Sequence, residues 1–152
     1  MAGNLKQRLI KAGRDFNYAE GIKVLNDTGT AIAANKIVYA SGHDGLFIKV
    51  TLADNGTAAS LKGRLHMTKH EIPANGYGVV LPWKLVTGLN DAAINGANGL
   101  NGSIIYLGAA GGWTTTAGNK RVVGTVATTG SGATSTDGAI LFSGEGVWSK
   151  EP

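Results

Sequence analysis

The chain has 152 residues, among them 24 glycines, 3 prolines and no cysteine, with 14 basic against 10 acidic side chains. The lack of cysteine excludes a disulfide framework, a thiolate nucleophile and cysteine-ligated metal centres. Charged residues are 16% of the chain, against roughly 25% in an average soluble domain. Gly, Ala, Thr, Asn and Ser make up half of it, a composition that argues against a coiled coil or a charged helical bundle.

Residues 1–20 read differently from the rest. Lys6, Arg8, Lys11, Arg14 and Lys23 face only Asp15 and Glu20, so +3 of the net charge of +4 falls in the first 23 residues. Leu5, Leu9 and Ile10 line one side of a short helix expected over Leu5–Lys11 and closed by Gly13, and Phe16 and Tyr18 follow in an extended stretch. These are too few apolar groups for a core and enough to anchor on a neighbour, the pattern of an arm that orders on docking. No aromatic side chain interleaves the first four basic residues, which favours a protein surface over nucleic acid as the arm's partner. The N-terminus lacks the continuous apolar stretch of a secretory signal, and no apolar run approaches the ~20 residues of a membrane-spanning helix. The sequence therefore predicts a cytoplasmic start and no membrane.

From Gly21 onward the period is two. Leu46, Ile48, Val50 and Leu52 share one face of an alternating segment, as in a half-buried strand. Comparable runs occur at Gly21–Leu25, Ile37–Ala40, Leu61–Met67, Gly78–Trp83, Ser103–Leu107, Arg121–Ala127, Ala139–Phe142 and Gly146–Ser149. Between them stand turn-forming groups such as Asp54-Asn55-Gly56, Ala74-Asn75-Gly76 and Asp137-Gly138, suited to the positive φ of tight turns. Thr87–Gly102 breaks the rhythm and reads as a loop with one helical turn around Asp91–Ile94. The expected architecture is mainly β: one antiparallel barrel or sandwich over residues 21–152, with the N-terminal arm at 1–20.

The candidates for chemistry are weak. His66 and His70 are four apart, but Gly63 and Pro73 make a helix poor, and along a strand they would stand about 13 Å apart. They read as surface histidines. His43-Asp44 lies in a glycine turn with Ser41 nearby and no G-x-S-x-G elbow. Gly96, Gly99 and Gly102, and Gly108-Ala109-Ala110-Gly111-Gly112, lack the following helix that a phosphate cradle needs. Asn26, Asn55 and Asn101 each open an N-x-[ST] triplet and read as turn residues. Trp83, Trp113 and Trp148 are the largest apolar groups, each suited to an inter-subunit contact or to the core. No nucleophile–base pair or metal cluster emerges, so an enzyme is not expected.

The order of several segments resembles the small capsid decoration (cement) proteins of tailed bacteriophages. Ile32–Ala40 is similar to their opening hairpin, and Gly76–Leu89 to a central glycine, valine and proline stretch. Gly102–Leu107, Gly111–Thr115 and Arg121–Val126 follow like that family's later strand, turn and strand, and Asp137–Phe142 resembles its closing strand. Lys36 stands where a glycine is usual, and the 95–102 loop is longer than the pattern. The resemblance covers residues 21–145 and implies a non-enzymatic virion protein on the outer capsid surface, with no cofactor and no metal. It implies the major capsid protein as partner and a homo-oligomer on the shell, a trimer being favoured. In that setting Leu5, Lys6, Arg8, Leu9, Lys11, Arg14, Phe16 and Tyr18 would contact the capsid. The other reading is a glycan- or receptor-binding module of a head or tail appendage, with Trp113 and Trp148 as a sugar platform.

Overall fold

The computed structural model describes residues 21–57, 60, 63–90, 94, 101–117, 121–132 and 134–144. Ten strands follow in chain order: β1 Ile22–Asn26, β2 Ile37–His43, β3 Ile48–Leu52, β4 Leu65–Thr68, β5 Gly76–Leu81, β6 Trp83–Leu89, β7 Ile104–Leu107, β8 Trp113–Thr114, β9 Val122–Thr128 and β10 Gly138–Ser143. The first five close into a barrel in the order β1-β3-β2-β4-β5, and the last five form a second sheet in the order β6-β10-β9-β7-β8. The mainly-β expectation holds. Antiparallel pairing holds for every ladder of the described residues except β1 with β3, which run parallel with Val24 opposite Ile48.

Two apolar clusters account for this arrangement. Val24, Ile32, Val38, Val50, Ile72 and Val80 fill the barrel. Gly78 lies against Ile72, and any side chain there would collide with it. The larger cluster lies between barrel and second sheet: Ile37, Leu65 and Met67 from the barrel meet Val86, Ile105, Leu107, Val123, Val126, Ile140 and Phe142. Strand alternation produces this split, since Ile37 and Val38 are neighbours on β2 and point into different clusters.

Close backbone approaches join the layers. Gly144, at the end of β10, accepts the Leu65 N–H and donates to the Pro82 carbonyl, at 3.1 and 2.9 Å. Arg121 is 2% exposed; its guanidinium donates to the carbonyls of Ser60, Gly63 and Gly144. It thereby ties the segment before β4 to one end of the antiparallel β9–β10 pair, where β9 begins and β10 finishes.

Some boundaries differ from the sequence reading. Thr87–Leu89 belongs to β6 rather than to a loop, and Trp113–Thr114 is a short edge strand. The apolar residues of β6 are misleading: Trp83 and Leu85 face solvent, and Lys84 faces the barrel. The expected arm at 1–20, the strand at Gly146–Ser149 and the turn at Asp91–Ala93 lie outside the described residues. Ile94, at that turn's end, is buried in the larger cluster.

Candidate binding face

The second sheet carries a surface that its own sequence would lead one to expect covered. Ala139-Ile140-Leu141-Phe142 is apolar at consecutive positions, which marks a strand buried on both faces. Ile140 and Phe142 are indeed fully buried, but Leu141 is 39% exposed. It lies opposite Leu85 of β6 on one side and Thr125 of β9 on the other. Thr125 in turn lies opposite Ile104 of β7. Leu85, Leu141, Thr125 and Ile104 therefore form one row straight across four strands, about 14 Å long at ordinary strand spacing. Leu85 and Ile104 are 53% and 45% exposed. Trp83, 56% exposed, lies beyond the row at the Ser143 end.

Among the described residues this row carries no charge. In the five strands of the second sheet only Lys84 is charged at neutral pH. Its ammonium reaches the barrel side, donating to Asn35 Oδ1 at 2.6 Å and to the carbonyls of Lys69 and Thr68 at 3.0 and 3.2 Å. Burial, and after it the nearby Lys69, pushes the Lys84 pKa down.

The barrel wall has a different character. Phe47 and Tyr77 meet edge to face at 5.0 Å, and Lys23 lies over both rings at about 5.5 Å. Lys49 pairs with Asp27 at 2.9 Å on the same barrel. A cleft of about 290 Å³ opens at one end of the barrel, lined by Thr28, Thr30, Ala31, Ile32, Thr51 and Leu52.

The residues singled out in the sequence fare unequally. Trp83 is on the exposed face. Trp113 is half-buried and packs against the larger cluster, while Trp148 and the eight arm residues expected at the capsid (Leu5, Lys6, Arg8, Leu9, Lys11, Arg14, Phe16 and Tyr18) lie outside the described residues. His70 is exposed, whereas His66 is half-buried on β4, its pKa lowered first by burial and then by Arg64. Among the described residues no group of three or more His, Asp or Glu could hold a metal ion. Asn26 is no surface turn residue: it is fully buried and bonds the carbonyls of Thr30, Ile72 and Pro73.

Sequence reasoning missed Leu85, Leu141, Thr125 and Ile104. The signal was present as strands from β6 to β10 with a single charged residue, Lys84, but only strand order shows that the four residues align. No protein-family model, no curated protein and no solved structure matches this chain.

Proposed function

We propose that this chain is a structural virion protein, a decoration or cement protein. In this reading it binds the outer surface of the mature phage head and bridges major capsid protein subunits. The observation that carries the proposal is the uncharged row Leu85–Leu141–Thr125–Ile104 with Trp83 beside it, held on a rigid sheet. Contiguous apolar surface of this kind marks a site of association, and the order of sequence segments resembles that of the decoration proteins. A protein that binds only the mature lattice stabilises it by mass action. A second contact on the neighbouring subunit is then intramolecular and gains from high effective concentration.

The arm at 1–20 is proposed as that second contact, through Lys6, Arg8, Lys11, Arg14 and its apolar residues. A trimer on the shell would repeat the same contacts around a closed axis. The appendage reading needs Trp113 as a sugar platform, and its packing against the larger cluster leaves it less free for that role.

The test is re-binding to heads stripped of this protein. Leu85→Asp with Leu141→Asp is expected to fold and to lose occupancy at least tenfold, and deletion of residues 2–20 to lower it independently. Decorated heads are expected to survive heating that opens stripped ones. Unchanged occupancy for the double variant, or stripped heads as heat-resistant as intact ones, would overturn the proposal.

A further inference from the structure

The two ends of the barrel are shaped for each other. At one end the link between β2 and β3 carries Leu46, which is 87% exposed. The turn that presents it is tightly made. The Asp44 carboxylate accepts the N–H groups of Leu46 and Phe47 at 2.9 and 2.8 Å. The Asp44 N–H donates to the Phe47 carbonyl at 3.1 Å, and the Gly45 N–H to His43 Nδ1 at 3.1 Å. Ile22 and Ile48, which begin the parallel strands β1 and β3 at this same end, add partly exposed apolar surface around it. A rigid knob with a leucine at its tip results.

The opposite end holds the cleft. Thr51 and Leu52 close β3, and Thr28–Ile32 follows β1. Because β1 and β3 are parallel, these segments leave the barrel together, about 18 Å along β3 from the knob. The volume is at the bottom of the range for small-molecule sites, roughly 300–1,000 Å³, and suits one aliphatic side chain. All six lining residues are uncharged. The wall is fixed in advance: buried Asn26 bonds the carbonyls of Thr30, Ile72 and Pro73, and accepts from the Thr28 N–H and hydroxyl. Pre-organisation of this kind lowers the ordering cost of binding.

Each end carries charges of both signs, so electrostatics does not oppose the contact. Lys23 stands with Phe47 at the knob, where the Asp44 carboxylate is engaged by backbone N–H groups. Asp27 precedes the cleft's Thr28, and exposed Glu71 precedes Ile72, which bridges Ile32. Lys49 is also present at Asp27, paired with it.

We propose that Leu46 of one copy inserts into the Thr28–Ile32/Thr51–Leu52 cleft of a second copy, giving a head-to-tail contact between barrels. Such a contact is heterologous and propagates into a ring or a row. One knob in one cleft buries far less than the ~1,200 Å² of a stable pair. The contact is therefore weak in free solution, with a dissociation constant on the order of 1 mM, and becomes occupied where copies are held side by side. This proposal does not depend on the capsid reading, because it is read on the isolated protein.

The test uses the full chain, labelled with ¹⁵N and at its methyl groups, from about 20 μM to 2 mM. Signals of Leu46 and of Thr28, Thr30, Ile32 and Thr51 are expected to shift together along one binding curve. Leu46→Asp and the milder Leu46→Ser are expected to remove the shifts, and so is Ala31→Trp, which fills the cleft from an exposed position. Neither L46D nor A31W should self-associate, yet unlabelled A31W should shift the cleft signals of labelled L46D, restoring knob and cleft in one pair. Concentration-independent cleft signals would overturn the proposal. Shifts that persist in L46D, or that map to Leu85, Leu141 and Ile104 instead, would do the same.

Discussion

The Lys84 ammonium donates to Asn35 Oδ1 at 2.6 Å, from the second sheet to a barrel turn. Asn35 holds φ at +61°, a conformation tolerated by asparagine. The same ammonium also serves the carbonyls of Thr68 and Lys69, so one cation fastens three groups of the barrel to the sheet. Lys84→Met keeps the stem and removes the donors. It is expected to cost about 1–3 kcal/mol in urea unfolding, with faster amide exchange at Asn35 and Lys69. An unchanged midpoint would show the contact to be incidental.

Gly124 and Gly144 are places where backbones touch. At Gly124, φ is +149°, and a Cβ would overlap the Leu141 carbonyl. At Gly144 it would overlap the Leu65 carbonyl. Backbone cannot move aside as a flexible side chain does, so either glycine→alanine change is expected to cost ~3 kcal/mol or more. Gly132, with nothing within 4 Å, is the control: its alanine variant should stay within about 0.5 kcal/mol of the parent.

Asn26→Ala strands three carbonyl acceptors and the Thr28 donors at a fully buried position. A loss on the order of 3 kcal/mol is expected, with amide exchange accelerated first in residues 28–32. Uniform acceleration over the whole barrel would place the role of Asn26 elsewhere.

Stability should fall in two steps as the solution is acidified. The pKa of half-buried His66 is lower in the folded chain, so the unfolded chain takes up its proton first. Its contribution is complete above about pH 6.5 and is lost as pH falls through the lower native value. Asp44, Asp54 and Asp137 also have lowered pKa values, set first by the N–H groups of Phe47, Gly56 and Ser131 respectively. Their contribution is complete above about pH 4 and is lost as pH falls through their native values. Urea titrations from pH 8 to 2.5 should show both declines. His66→Gln should abolish only the upper one, and Asp54→Asn should reduce the lower.

Period-two alternation located most strands, because a half-buried strand writes its inside and outside directly into the chain. Ile48–Leu52 and Ile37–Ala40 were legible on that ground, whereas Ser41–His43, read as part of a glycine turn, continues β2 through its pairing with β3. The alternation gave β6 no strand of its own, for there Trp83 and Leu85 turn outward and Lys84 inward, reversing the usual rule for apolar and charged groups. The candidate face was illegible for a related reason. Leu85, Leu141, Thr125 and Ile104 are far apart in sequence, and only the order β6-β10-β9-β7 aligns them. Asn26 looked like any Asn-x-Thr turn, since nothing local reveals that three distant carbonyls converge on it. The parallel pairing of β1 with β3 is likewise a product of barrel closure rather than of either strand's composition.

Pro82 alone separates β5 from β6, so the chain passes from the barrel wall into the second sheet within one residue. Because side chains alternate, the parity of that junction decides which half of β6 meets the interior. One added amino acid would turn Val86 outward and Leu85 inward, erasing the row of β6 that adjoins Leu141. Length variation is therefore cheap in the exposed link between β9 and β10 and forbidden at this proline, where a single-residue insertion would act on the surface like a frameshift.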